Sequence, residues 1–193
     1  MLDAAEDLIA AEGIRATSMS AVARAAGTSI GAIYARFDNK RSVVHAVHAR
    51  FLARTAALTE AAADPARWAG RSLDEVVEGM VPVAVMAIRG NAGLIRAFLL
   101  AAFEDQEMRD RAQAATRRGT KAVIQLITER RAEVRRPDPE VAADFAMRFV
   151  MATAQHSLIF EQPTPHRYED DELARRLVDA VRAYLAGGDI AGR

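Results

Sequence analysis

Apolar residues recur every three or four positions along nearly the whole chain. No stretch alternates with the period of two that a half-buried strand requires. The pattern predicts an all-α fold of about nine helices. Leu2, Ala5, Leu8 and Ile9 share one face of a first helix over 2–12, which Gly13 ends. Thr17 or Ser18 can cap a short second helix reaching 26, where Gly27 breaks it. Thr28 or Ser29 can cap a third, to about 37. Asp38 or Asn39 then caps a long fourth helix over 40–62, whose inner face reads Val44, Val47, Phe51, Thr55 and Leu58. After a turn-rich break at 65–72, five further helices are predicted over 73–88, 92–104, 107–134, 140–160 and 170–186. Pro82 should kink the first of these, and Pro137 and Pro139 open the fourth. A loop with Pro163 and Pro165 covers 161–166, and Gly187 and Gly188 stop the last helix.

The last two helices differ in kind. Between Val141 and Phe160, 14 of 20 residues are apolar, with Phe145, Phe149 and Ala152 on one face and Met147, Met151, Ala154 and Leu158 on another. So wide an apolar circumference needs covering from two sides, by the chain's own body and by a partner, or else by a monomer core alone. The final helix carries Leu173, Leu177, Val181 and Leu185 on one stripe and Arg175, Arg176, Asp179 and Arg182 opposite.

Composition narrows the function. The 193 residues balance 26 Lys and Arg against 26 Asp and Glu, which excludes a uniformly basic nucleic-acid coat. The 42 alanines favour helix. Absence of cysteine excludes disulfides, thiolate zinc sites and cysteine nucleophiles, and fits a reducing cytosol. The longest apolar run, Met80 to Ile88, is too short for a bilayer, and Asp3, Glu6 and Asp7 carry the wrong charge for a signal peptide, so no membrane partner is expected. No glycine-rich phosphate loop, Gly-x-Ser-x-Gly elbow, HExxH or paired carboxylate and base in a polar cluster is read from the sequence, which argues against an enzyme. The four histidines form no metal set; only His45 and His48, at i and i+3, share a helix face, so no metal and no cofactor are expected.

The sharpest signal lies between Met19 and Phe37. Two short helices meet around Gly27, with Val22, Ala26 and Ile33 at core spacing and the small Ala23 at their crossing. This is the outline of a helix-turn-helix, though a tight helical corner has the same outline. The second helix is slim (Ser29, Gly31, Ala32, Ala35), as entry into a major groove about 12 Å wide requires. Within Ile14–Arg50, six cations (Arg15, Arg24, Arg36, Lys40, Arg41, Arg50) face one acid, Asp38, a local charge of +5. Asn39 and Lys40, opening the fourth helix, offer amide donors and a positive helix end to one phosphate.

Leu2-Asp3-Ala4-Ala5 with Leu8, Glu12-Gly13, Ala16-Thr17-Ser18, Ala23-x-Ala25-Ala26-Gly27, Gly31-Ala32-Ile33-Tyr34, Phe37 and Lys40 closely resemble the DNA-binding domain of TetR-type transcriptional regulators. The resemblance covers about the first 50 residues. It implies a DNA-binding domain over 1–48 and a ligand-binding and dimerisation domain over 49–193. It further implies a cytoplasmic bacterial homodimer, paired through the last two helices, on a palindromic double-stranded operator. By position, Thr17 and Ser18 look like phosphate contacts. Ser29, Gly31, Ala32 and Tyr34 look like recognition-helix residues, Tyr34 on a phosphate, and Lys40 looks like the phosphate-binding lysine. Ile30 and Ala35 depart from the family, which often has Lys or Arg at the first position and His or Tyr at the second. Arg36 is a compensating contact or a solvated charge.

The resemblance also implies a small-molecule pocket among the middle helices. Met80, Met86, Phe98, Phe103 and Phe149 suit an adaptable apolar cavity, with Gln155 and His156 to orient a ligand; the same residues at helical spacing also read as plain core. The expected function is a ligand-responsive regulator, a repressor released by an apolar or amphipathic effector. The competing reading is a helical dimeric small-molecule-binding or interaction protein with weakened DNA binding.

Overall fold

The computed structural model describes residues 1–160, 166 and 168–187. Among these the chain is all α, with no strand. Its helices are α1 (Leu2–Ala16), α2 (Met19–Ala25), α3 (Ile30–Tyr34), α4 (Lys40–Ala62), α5 (Leu73–Gly90), α6 (Ala92–Ala102), α7 (Gln106–Thr128), α8 (Pro139–Ile159) and α9 (Asp170–Leu185). A single 3-10 turn, Pro65–Trp68, sits in the predicted break. The loop predicted over 161–166, apart from His166, and the stop at Gly188 lie outside the described residues.

One expectation changes. The regular part of α1 does end at Gly13, which is non-helical (φ 81°), but the chain then resumes for a further turn to Ala16. Pro82 lies inside α5, which is helical from Leu73 to Gly90. Its ring forfeits only the bond to the carbonyl of Glu78, a residue on the exposed side where water can serve instead.

By compactness the chain separates into two units, the first opening with Met1–Thr55. The first unit also takes in Asn91–Ala115; the second comprises Ala56–Gly90 and the chain from Thr116 onward. The core of the first unit explains the division. Ala5 and Ile9 of α1, Val22 and Ala23 of α2, Ile33 of α3 and Val43, Val44, Val47 and Phe51 of α4 pack with Leu94, Ala97 and Phe98 of α6 and Met108 of α7. Burying those three α6 side chains requires α6 to lie almost against the α1 backbone. Gly93 makes this possible, since a Cβ there would stand 2.1 Å from the carbonyl oxygen of Ala10. The predicted inner face of α4 holds through Phe51, whereas Leu58 points to solvent and Ala56 and Ala63 are buried in its place.

In the second unit Trp68, Ala63, Val76 and Leu126 form a cluster edged by Met80, Ala122 and Val123. The indole N–H of Trp68 donates to the Ala62 carbonyl at 2.7 Å. Leu173, Leu177, Val181 and Leu185 of α9 are buried as their spacing predicts, and Arg182 reaches Asp74 (2.7 Å) and Glu78 (3.1 Å) on α5. Asp138 caps α8 by accepting from the amides of Glu140 and Val141, with Pro139 in its first turn.

Gly93→Ala is expected to lower the unfolding free energy by about 1–3 kcal/mol, because the new methyl meets backbone that cannot rotate away. Denaturant titration checks this, and an unchanged midpoint contradicts the close approach.

Candidate nucleic-acid interface

The α2–α3 corner is built from local chemistry. Ser18 and Ser29 are N-caps, each side-chain oxygen accepting a backbone N–H at 3.1 Å, from Ala21 and Ala32 respectively. Gly27 adopts φ 63°, the left-handed turn that lets the amide of Thr28 return to the Ala23 carbonyl at 3.0 Å. Val22, Ala23 and Ile33 are buried, which fixes the face of α3 turned inward. The opposite face presents Ser29, Ile30, Gly31, Tyr34, Ala35 and Arg36 to solvent, with Ala32 half-buried. The string Gly27-Thr28-Ser29-Ile30-Gly31 has the letters of a Gly-x-Ser-x-Gly elbow. That elbow needs a strand before its serine, whereas here a helix precedes it and the hydroxyl is a cap.

The phosphate-contact set changes at Thr17. Its side chain is buried, and its hydroxyl donates to the Gly13 carbonyl at 2.9 Å. Its backbone amide donates to the same oxygen at 3.3 Å. Both donors are spent on closing the α1–α2 corner, and a phosphate oxygen only accepts. Ser18 and Ser29 accept in their caps and keep a hydroxyl proton to give. The ammonium of Lys40 donates to the Arg15 carbonyl at 3.0 Å and has two further protons. Asn39 caps α4, its side-chain oxygen accepting from the Ser42 amide at 3.0 Å.

The local charge of +5 also shrinks at the surface. Arg50 bonds Asp3 and Glu6, and Arg54 bonds Glu6 at 2.7 Å, tying α4 to α1. Burial raises the Glu6 carboxyl, but these two guanidinium groups outweigh it and hold the group below the usual carboxylate range. Arg41 donates to Asp105 at 3.0 Å. Arg15 lies 3.8 Å from Glu104 at the open surface, and among the described residues Arg24, Arg36 and Lys40 carry no ion pair.

Folding assembles a knot that sequence spacing does not reveal. His45 faces Asp105 through Nε2 (2.8 Å) and Glu107 through Nδ1 (3.3 Å), and Arg111 reaches Glu107 at 2.5 Å. Asp105 also caps α7 through the Met108 amide at 3.2 Å. Hydrogen bonds from Arg41 and His45 hold the Asp105 carboxyl far below its ordinary range. Donor atoms of His45, Asp105 and Glu107 lie within 4.8 Å of one another, a metal-like grouping. Both carboxylates are already neutralised by guanidinium groups, so the cluster is electrostatically complete without an ion. His48 does not join it. It is buried against the Phe98 ring, centroids 4.8 Å apart. Burial, then the neighbouring His45 and Arg111, push its pKa down to about 4.

The seven residues assigned to a ligand pocket divide between the two units. Phe98 is core of the first unit, beside His48 and Phe51, and Phe103, just past α6, is 80% exposed. In the second unit Met80 packs beside the Trp68 cluster, Met86 is 63% exposed, and Phe149, Gln155 and His156 lie along α8, where His156 is exposed and Gln155 half-buried. Periodicity marked Met80, Met86, Phe98, Phe103 and Phe149 as apolar positions without telling which neighbour each would meet. The outer row of α8, Val141, Phe145, Phe149 and Ala152, faces solvent in this chain, as does Phe160 just past its end.

A short, slim, outward-facing helix held behind a capped turn defines a helix-turn-helix DNA-binding protein. The description "Bacterial regulatory proteins, tetR family" matches residues 1–47, and "Tetracyclin repressor-like, C-terminal domain" matches 72–185. The chain belongs to the TetR family of bacterial transcriptional regulators. A TetR-family transcriptional regulator from Mesorhizobium loti is similar over 96% of this chain and 93% of its own, at TM-score 0.80 and 18% identity. The fatty acid degradation regulator FadR from Bacillus halodurans covers 97% of this chain and 93% of its own (TM-score 0.66, 18% identity). FadR from Bacillus subtilis, solved in complex with stearoyl-CoA, covers 96% of each chain (TM-score 0.68, 17% identity). No curated protein matches the sequence. Among the described residues no single helix is long and apolar enough to cross a membrane.

His48 makes stability pH-dependent in a defined window. The unfolded chain takes up this proton near pH 6.5 and the folded chain only near 4, so the folded state loses stability as pH falls between the two. Wild type is expected to lose about 2–3 kcal/mol more than His48→Leu across that window. Urea titrations at stepped pH measure this, and parallel curves for the two proteins contradict it.

Proposed function

We propose that this TetR-family regulator is a homodimeric repressor that holds a palindromic operator through two copies of α3 and is released by an apolar or amphipathic effector. The reading rests on α3: it is pinned by Ile33 and turned outward on Ser29, Ile30, Gly31 and Tyr34. One five-residue helix binds weakly, and two held about 34 Å apart by a two-fold axis read successive major grooves. The outer row of α8 supports the two-fold. Phe145, 51% exposed, stacks at one edge on Tyr184 of α9 (centroids 4.9 Å) and leaves its remaining surface for a second copy. An exposed aromatic row of this kind is what a self-complementary interface buries. Phosphate is held by Ser18, Tyr34 and Lys40, with Arg36 beside them. The Bacillus subtilis relative's stearoyl-CoA supports an amphipathic effector.

The competing reading, a dimeric binding protein with weakened DNA affinity, draws on one observation: Thr17, Arg41 and Arg50 are all engaged internally.

The Tyr34→Ala/Lys40→Ala double variant is expected to lose at least tenfold in affinity for DNA upstream of its own coding region. The slope of log affinity against log salt falls by about one for the lost lysine. Anisotropy titrations read both, and unchanged binding favours the competing protein. Stearoyl-CoA added to the wild-type complex tests release by an amphipath in the same assay.

Phe145→Asp/Phe149→Asp is expected to convert the dimer to monomer, read by sedimentation equilibrium. Far-ultraviolet circular dichroism should be unchanged because both side chains already face solvent. A dimer that survives both charges places the interface elsewhere.

A further inference from the structure

We propose that Ile30 is a base-reading residue that selects thymine, through its C5 methyl, in each half-site. The inference rests on the DNA-binding reading above and deepens it. In a helix-turn-helix the N-terminal residues of the second helix face the base edges. Here those residues are Ser29, Ile30 and Gly31. From Ser29 to Ala35 there is no Arg, Lys, Asn, Gln, Asp or Glu. The helix therefore carries none of the bidentate partners that identify guanine or adenine.

Ile30 is 47% exposed and stands at the first helical position, so its aliphatic side chain projects outward with much of its surface in water. Every major-groove base edge is a pattern of donors and acceptors, and the thymine methyl is its one apolar group. Isoleucine against that methyl gains apolar burial. Set over the acceptors of guanine or the amino group of cytosine, it strips water from polar atoms and returns no hydrogen bond. The same side chain thus attracts thymine and rejects its competitors. β-Branching holds it in essentially one helical rotamer, so little entropy is lost on contact.

Gly31 gives an independent indication. It has ordinary helical geometry, and a Cβ there would meet only the Ser29 hydroxyl at 3.8 Å. Nothing inside the protein requires glycine, and glycine in a helix is less stable than alanine. Its missing side chain is of use on the outside, where the backbone beside Ile30 can approach the groove floor.

The test uses the full-length protein and a random duplex pool. Duplexes enriched by the wild type are resynthesised with uracil in place of each thymine in turn, which removes only the methyl, and affinities are read by anisotropy at one fixed salt concentration. One thymine per half-site is expected to matter. Its replacement weakens wild type about three- to fivefold, and replacement in both half-sites about tenfold or more. Ile30→Ala, a change at an exposed site, is expected to bind the thymine and uracil duplexes equally. Enrichment of a sequence in which no uracil matters, or an Ile30→Ala variant that still discriminates, overturns the assignment and leaves DNA binding standing. Failure to enrich any sequence overturns both.

Discussion

The contact between Gly93 and the carbonyl of Ala10 decides what belongs to the first unit. Two helix backbones approach this closely only where a side chain is missing. The approach lets Leu94, Ala97 and Phe98 complete a core that α1 to α4 leave open on one side. It has a chemical consequence as well. With α6 in place, Phe98 covers His48, and the turn after α6 and the start of α7 deliver Asp105 and Glu107 to His45. A buried neutral histidine and a neutralised ion-pair knot both follow from one glycine. Ring burial against Phe98 excludes the charged form of His48, whereas His45, one turn away, meets two carboxylates.

Charge in this unit serves two ends that the sequence cannot separate. Arg41, Arg50 and Arg54 look no different from Arg24 or Arg36 along the chain. Only the fold shows that the first three reach acids on other helices. The cations that fix α4 against α1 and α7 are therefore unavailable to phosphate. Glu6 has two guanidinium partners, so losing either one leaves the other in place, and that redundancy suits a helix that must hold a fixed angle behind the recognition element. Local net charge thus overstates the electrostatic footprint of this domain by the number of its internal bridges.

Helix ends were legible because they depend on neighbours in sequence. Ser18, Ser29 and Asn39 cap where their chemistry says they should, and Gly27 turns the chain where a left-handed φ is needed. Inner faces were legible where one helix meets one core, as in α9 and the first half of α4. Legibility ended at tertiary choices. Thr17 is a phosphate contact by position, yet in space it is the brace of a corner, since its hydroxyl finds the Gly13 carbonyl before it finds solvent. Phe98 and Phe149 have the same apolar character along the chain, but one seals the first unit and the other faces outward on α8. Periodicity reports that a side chain shuns water and does not report what it will touch.

These observations bear together on specificity. A recognition helix without bidentate donors gains little discrimination at each base, of the order of one methyl contact. The surface left after the internal bridges offers few phosphate contacts. For such a domain, discrimination must come from repetition. In a symmetric dimer the preference of one half-site multiplies with that of the other, and the free energy of orienting the second helix is met by the subunit interface. On the proposed two-fold, the outward aromatic row of α8 and the sparse outer face of α3 are complementary. The less each recognition helix can say alone, the more the molecule depends on a firm apolar union elsewhere to hold two of them in register.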